Sequence, residues 1–506
     1  MHVGLDIGTS GTKASVVSTE GSVLDFQKVD YHFCNYSDGL RELDPGEIWG
    51  AVKTCLSSLR FKNSIKTITV SSLGEAFVTL DNKGEPLYPC ITGTDIRGSH
   101  EISDIESAIG RDKIIEITGV SPGYLYSAPK IAWLLANKSD QMEQMWKILT
   151  IQDYIVFKLS GQAVVDYSVA SRTMFLDVNK LDWSAELLDC VGIEKKNLSH
   201  PVRSGTIVSK ILPEVAIECG INGDAKIVVG CHDHIANTLG SGSYLPGDCA
   251  NIVGTTEGIT AIIDSTTLRP KGISDYKISK EPFIKDGLFN TVAWTNTSGV
   301  LLKWFAQEFI QKLTNNDDLL EIYHDLNSSM VNSPTDLLVL PHFSGAGTPY
   351  DDSLSKGAII GLHLGTTTAE IYRAIMEGIN FDLALIIESL NSAGICLKKI
   401  VSSGGALSDQ MLQIKADIIG QEIHTIQNSE TGTLGGAMIG AVSHGDFKSI
   451  EEAISLYVIP GKSYYPIKEN NDFYSGQFRQ YKKLYPRLKD IYHSLSKTQE
   501  KEKLLF

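Results

Sequence analysis

Asp6-Ile-Gly-Thr-Ser-Gly-Thr-Lys13 is the stretch on which the reading of the fold turns. An apolar, strand-like run, His2–Ile7, leads into it, and a second, Thr12–Ser18, leads out. The grammar is strand, Gly-Thr turn, strand. A hairpin turn rich in Gly, Thr and Ser presents backbone N–H groups and hydroxyls to one point, which makes a nest for phosphate. Gly8, Thr9 and Ser10 would form the cradle. Lys13 on the second strand would add a charge-assisted contact. Asp6 at the strand end would hold Mg²⁺, through water, because that ion keeps much of its hydration shell. The grammar returns at Asn251-Ile-Val-Gly-Thr-Thr-Glu-Gly258, between the strand-like runs Cys249–Val253 and Ile259–Ile263. This repetition predicts two related halves, residues 1–245 and 246–506. No low-complexity linker separates them, so they are expected to pack over a shared cleft.

Outward from these turns, the 45 glycines cluster where short β-branched runs end, as at Gly404-Gly405 after Ile400–Ser403. Helices are predicted at Pro45–Leu59, 126–137, 141–159, 297–312, 368–391, 408–420, 433–444 and from about 471. Trp133, Leu134, Trp146, Ile155 and Phe157 are core candidates. Strands are predicted at Ser64–Ser71, ending in the polar turn Ser72-Leu-Gly-Glu75, and at Phe77–Leu80. Another, Ile227–Gly230, meets the turn Cys231-His-Asp-His234 before a short helix, Ile235–Leu239.

Composition narrows the function. Lys plus Arg is 45 and Asp plus Glu is 60, a net charge of −15. This acidic balance excludes a protein that coats nucleic acid. A polyanionic small molecule stays open, because backbone amides bind phosphate against the net charge. No run of 18 apolar residues exists, so no membrane partner is expected. The start lacks the pattern of a signal peptide. Eight scattered cysteines without a CxxC pair predict a reduced, cytoplasmic protein with buried thiols. Neither GxxxxGK[ST] nor GxGxxG occurs, so a nucleotide would be held by a different fold from those.

Asp6-Ile-Gly-Thr-Ser-Gly-Thr-Lys-Ala14 resembles the first phosphate motif of the FGGY carbohydrate kinases. These are xylulokinase, glycerol kinase, gluconate kinase and their relatives, within the sugar kinase/actin/Hsp70 ATPase superfamily. Gly230-Cys-His-Asp-His-Ile-Ala-Asn237 falls at the family's base-carrying segment, and Gly254-Thr-Thr-Glu257 resembles its second phosphate motif. Ser298-Gly-Val-Leu-Leu-Lys-Trp304, Leu340–Pro349 and Val401-Ser-Ser-Gly-Gly-Ala406 follow in the family's order. The resemblance implies an α/β protein of two ribonuclease H-like (actin-like ATPase) domains of similar topology with a cleft between them. It implies ATP and Mg²⁺ as cofactors, a small-molecule sugar or polyol as partner, and a homodimer. ATP contacts would come from Asp6, Gly8, Thr9, Ser10, Lys13, Gly254, Thr255, Gly299, Lys303, Gly404, Gly405 and Gln410.

Phosphoryl transfer to a hydroxyl needs a base, a metal on the phosphates and donors for the equatorial oxygens. Asp233 is the candidate base, and with Asp6 the candidate Mg²⁺ site through water. The competing reading is that Asp233 caps the helix after it. His232 and His234 form a His-x-His pair without a recognisable third zinc ligand, so His232 is read as a substrate or Asp233 contact. The acceptor turn would offer Gly74 and Glu75, where glycerol kinases have Arg-Glu and xylulokinases Met-His. Glu75 resembles the carboxylate that accepts vicinal hydroxyls. Asp95 and Arg97 fit the family's Asp-x-Arg, or form a structural ion pair. Glu257 would repel phosphate, so it is expected to point away or meet the metal. A nucleotide-binding regulator without phosphotransfer is the alternative from another class.

Overall fold

The computed structural model describes residues 1–35, 39–312, 318–428 and 430–503. Two sheets organise it. The first contains β1 (His2–Ile7), β2 (Gly11–Val17), β3 (Val23–Asp30), β4 (Thr67–Ser72), β5 (Ile207–Lys210) and β6 (Lys226–His232), in the order β5-β6-β4-β1-β2-β3. The second contains β7 (Asp248–Val253), β8 (Glu257–Asp264), β9 (Glu281–Pro282), β10 (Leu288–Thr295), β11 (Lys399–Ser403), β12 (Ile423–Ile426) and β13 (Pro460–Tyr464). Its order is β9-β10-β8-β7-β11-β12-β13.

The pairings repeat. In the first sheet β1 runs antiparallel to β2 and parallel to β4, and β4 parallel to β6, with β5 antiparallel at the edge. In the second, β7 runs antiparallel to β8 and parallel to β11, and β11 parallel to β12, with β13 antiparallel at the edge. The β1–β2 turn of one half therefore corresponds to the β7–β8 turn of the other. These are two α/β domains of similar topology, and both Gly-Thr turns lie at strand ends facing the cleft, where open α/β sheets bind ligands.

Five helices position the site: α1 (Asp233–Gly240), α2 (Gly299–Phe305), α3 (Thr368–Ser392), α4 (Asp409–Ile419) and α5 (Thr431–His444). Helix α3 starts at a capping box of Thr367 and Glu370. Helix α5 belongs to the second half in sequence but packs on the first sheet, and residues 431–441 are buried. Glycine makes that approach possible: a Cβ on Gly4 of β1 would stand 1.8 Å from the Thr433 carbonyl oxygen. The strands of the first sheet end at His232 and those of the second begin at Asp248, while α5, late in the sequence, lies on the first sheet.

Four expectations need correction. Residues 141–159 are not one helix. Ser139–Met142 is a short helix, Lys147–Thr150 a strand, and Ile151–Ser160 a second helix. The strand pairs antiparallel with Phe77–Leu80, and that long-range ladder outweighs the helical spacing. Trp146 is 39% exposed and leaves the core, whereas Leu134 and Ile155 are buried. The thiols are all free, but Cys34, Cys190 and Cys396 are exposed. The 297–312 helix becomes α2 followed by a π-helical stretch, Ala306–Gln311. No described helix is long and apolar enough to cross a membrane.

His2 ties β1 to the segment after α5. Its ring is fully buried, with Nδ1 2.9 Å from Thr67 Oγ1 and Nε2 2.9 Å from Asp446 Oδ2. Burial outweighs Asp446 and lowers its pKa to about 4. The folded state therefore disfavours the proton that the unfolded chain takes up near 6.5. Stability is whole above that value and falls with pH towards 4, by about 3 kcal/mol at most. His2→Gln should flatten this acid limb in melting curves recorded from pH 7 to 4.

Candidate active site

The first turn is drawn tight by the Gly8 N–H, which donates to the Gly11 carbonyl at 3.0 Å. Thr9 and Ser10 stand exposed at its tip. Lys13, opposite Asp6 in the ladder, is paired with Glu430 at 2.9 Å, beside the start of α5. The second turn is closed by the Gly254 N–H on the Thr256 carbonyl at 2.9 Å. The start of α2 docks on it: Gly299 N–H donates to the Gly254 carbonyl at 3.0 Å and Ser298 N–H to that of Thr255 at 3.1 Å. Gly404 packs against Val253, so Gly254, Thr255, Gly299, Gly404 and Gly405 are gathered. Lys303 is exposed on α2, and Gln410 stands half-buried in the first turn of α4.

Glu257 points away from the turn it follows. It is fully buried, with Lys415 Nζ of α4 2.5 Å from Oε1, Asn251 Nδ2 2.8 Å from Oε1 and Ser298 Oγ 3.1 Å from Oε2. This network lies beneath the second turn and joins β7, β8, α2 and α4. Lys415 has no sequence signal beyond its place in an otherwise apolar helix face.

Asp233 opens α1 at the end of β6. The helix has no side-chain cap, and its N-cap residue is His232, so the capping alternative is not what the structure has. Asp233 keeps 24% of its side chain exposed, with a helix N-terminus favouring its charge. Oδ1 of Asp233 and Oδ1 of Asp6 are both buried without a hydrogen-bond partner. Burial, and then the charge of Asp233, raise the Asp6 carboxyl to about 7. Two carboxylate oxygens that repel one another and accept no hydrogen bond are a donor set suited to a hard divalent cation.

His232, Asp233 and His234 place one donor atom each within 4.8 Å, which supplies the third ligand that the His-x-His reading lacked. His232 nevertheless has other uses for both nitrogens. Nδ1 is 3.3 Å from Glu281 Oε2 and Nε2 3.3 Å from Asp233 Oδ1. Burial opposes its charge, but Asp233 and Glu281 prevail and raise its pKa above the usual imidazole value. Both ring nitrogens thus face carboxylates, which leaves neither free to turn to a metal.

On the acceptor side Arg172 joins Gly74, Glu75 and His232. Asp166 caps a short helix, Tyr167–Ser171, and Arg172 follows as its C-cap. The His232 N–H donates to Ser168 Oγ of that helix at 2.8 Å. Arg172 Nε donates to Glu75 Oε1 at 2.7 Å, Nη2 to the same oxygen, and Nη1 to Glu281 Oε1. Burial raises and Arg172 lowers the Glu75 pKa, with the cations prevailing, so Glu75 is ionised. Sequence reading missed Arg172 and Glu281. Glu281 comes from β9 of the other half, 109 residues away, and no local pattern announces that meeting.

Asp95 and Arg97 are arranged as a structural ion pair. Arg97 donates to Asp95 at 2.8 and 2.6 Å and to Glu42 at 2.6 Å, with its guanidinium 4.9 Å from the Trp133 ring centroid. Both are buried, while the neighbouring Gly93 lines Glu75.

Residues 1–240 match the N-terminal domain model of the FGGY family of carbohydrate kinases, and residues 249–444 its C-terminal domain model. The chain is 29% identical over 490 residues to a xylulose kinase of Staphylococcus xylosus, covering 96% of this chain and 99% of that one. It is 26% identical to a gluconokinase of Bacillus subtilis, covering 92% of each. Among solved structures, gluconate kinase from Lactobacillus acidophilus superposes with a TM-score of 0.88 at 26% identity, over 98% of this chain and 99% of that one. Xylulose kinase from the same organism gives 0.88 at 25% identity, with the same coverage. With both domain models matched in order along most of its length, the chain belongs to the FGGY family of carbohydrate kinases.

Proposed function

We propose that this protein is an ATP-dependent kinase that transfers the γ-phosphoryl group of ATP to a hydroxyl of a small sugar or polyol. The observation that carries this reading is Asp233: a carboxylate at a helix N-terminus whose Oδ1 makes no hydrogen bond, near Asp6 on one side and 3.3 Å from His232 Nε2, which leads to the Glu75 pocket, on the other. Asp233 accepts the acceptor's hydroxyl proton as that oxygen bonds to the γ-phosphorus. The bond from the γ-phosphorus to its bridging oxygen breaks, and ADP departs. The N–H groups of the Gly8–Gly11 and Gly254–Thr256 turns hold the phosphates. Glu75 accepts acceptor hydroxyls and so orients the attacking oxygen. Mg²⁺, held at Asp6 and Asp233 through water, would neutralise developing phosphate charge.

A coupled ADP-release screen over ketopentoses, ketohexoses, polyols and aldonates tests the reading. The expected outcome is acceptor-dependent ADP release with at least one of them. ADP release that no acceptor stimulates would count against it.

A further inference from the structure

The aliphatic stem of Arg172 occupies volume that a side chain on the acceptor turn would otherwise take. A Cβ on Gly74 would stand 2.4 Å from Arg172 Cγ and 3.1 Å from His232 Nε2. Glycine at 74 and arginine at 172 therefore belong together. The cation does not reach the cleft free. Arg172 is 5% exposed, its face lies 5.0 Å from the Tyr126 ring centroid, and its N–H groups are shared between Glu75 and Glu281. Glu281 is fully buried and also meets the Ser279 hydroxyl at 2.7 Å, the Asn290 amide at 3.2 Å and His232 Nδ1 at 3.3 Å.

Charge can now be counted around the acceptor site. Glu75, Glu281 and Asp233 are three carboxylates, and Arg172 and His232 are the cations they contact. Even with His232 protonated, one negative charge is in excess, that of Asp233, which the Mg²⁺ site would draw on; at Arg172 itself two carboxylates, Glu75 and Glu281, share one guanidinium. Lys130, beside the turn, directs its ammonium at the carbonyls of Gly93, Tyr124 and Leu125. Arg172 bonds only Oε1 of Glu75, which leaves Oε2 as the acceptor for a substrate hydroxyl.

Resting on the kinase reading above, we propose that the acceptor is an uncharged ketose or alditol, and that the Arg172–Glu281 pair excludes sugar acids. A substrate carboxylate entering beside Glu75 meets a guanidinium already neutralised on two sides, with no cation left to offset the loss of its water. Specificity of this kind comes from a repulsive element as much as from an attractive one. Hydroxyls meet the opposite situation, because the carboxylate oxygens of the pocket accept hydrogen bonds.

The test compares kcat/KM for D-xylulose and xylitol with that for D-xylonate, and for sorbitol with D-gluconate. The wild type should favour the neutral acceptors by at least about 100-fold, the size that an unpaired buried charge imposes. Glu281→Gln removes a carboxylate and frees an edge of the guanidinium, so it should narrow the preference. Arg172→Gln removes the cation and should widen it. A purely structural role for the pair would depress all acceptors alike and leave the ratio unmoved in both variants. That result, or equal use of D-xylonate by the wild type, overturns the inference. Absence of turnover with every acceptor would instead overturn the kinase reading. Calorimetric titration with xylitol and D-xylonate then still reads the charge preference, and tighter binding of the aldonate would overturn it.

Discussion

Asp233→Asn is expected to lower kcat by roughly 10³-fold, the usual cost of losing a general base. The amide is nearly isosteric, and α1 has no side-chain cap to lose, so the fold should survive. The Gly8–Gly11 and Gly254–Thr256 turns are unaffected, and ATP affinity measured by calorimetry should change by less than about threefold. A split between chemistry and nucleotide binding is the signature of a base. Unchanged phosphorylation in the variant would remove Asp233 from that role. Weakened ATP binding with kcat preserved would reassign it to the phosphates.

Lys415→Met should be the most damaging single change to the framework. Lys415 and Glu257 are both fully buried, and removing the cation strands a carboxylate beneath the second phosphate turn. Breaking such a pair costs about 3–5 kcal/mol, more than either partner's net contribution when the pair is intact. The loss should also raise KM for ATP, because Ser298 bonds Glu257 while its N–H holds the Thr255 carbonyl. Adding Glu257→Gln to the variant removes the stranded charge, and the amide still meets Asn251 and Ser298. Thermal melts of the two single variants and the double variant form the cycle. A double variant no more stable than Lys415→Met would show that the charge is not what the lysine serves.

Features written in local sequence were legible in advance. The Gly-Thr turns, the strands around them and the correspondence of Asp6–Lys13 with Asn251–Gly258 follow from turn chemistry and alternation, and the two sheets repeat as expected. Asp233 is singled out by the resemblance to the family's base-carrying segment, since its place between strand and helix also allows a cap; the structure puts it at the start of α1 with His232 at the N-cap. Features made by distant chain segments were not. Lys147–Thr150 reads as helix until Phe77–Leu80 supplies a ladder. Helix α5 belongs to the second half in sequence yet packs on the first half's sheet, where Gly4 and Thr433 meet across 429 residues of chain. Arg172 and Glu281 carry no motif of their own. Their meaning appears only when Gly74 is seen to leave room for the stem of an arginine from elsewhere in the chain.

The central claim is transfer of phosphate to a carbon-bound hydroxyl, and phosphorus NMR of a reaction with Mg²⁺, ATP and the best acceptor from the screen reads it directly. One phosphomonoester signal should grow for each ADP formed, with inorganic phosphate at background, and Asp233→Asn should suppress both signals. ADP formed together with inorganic phosphate, or a phosphomonoester that persists undiminished in Asp233→Asn, would contradict the account.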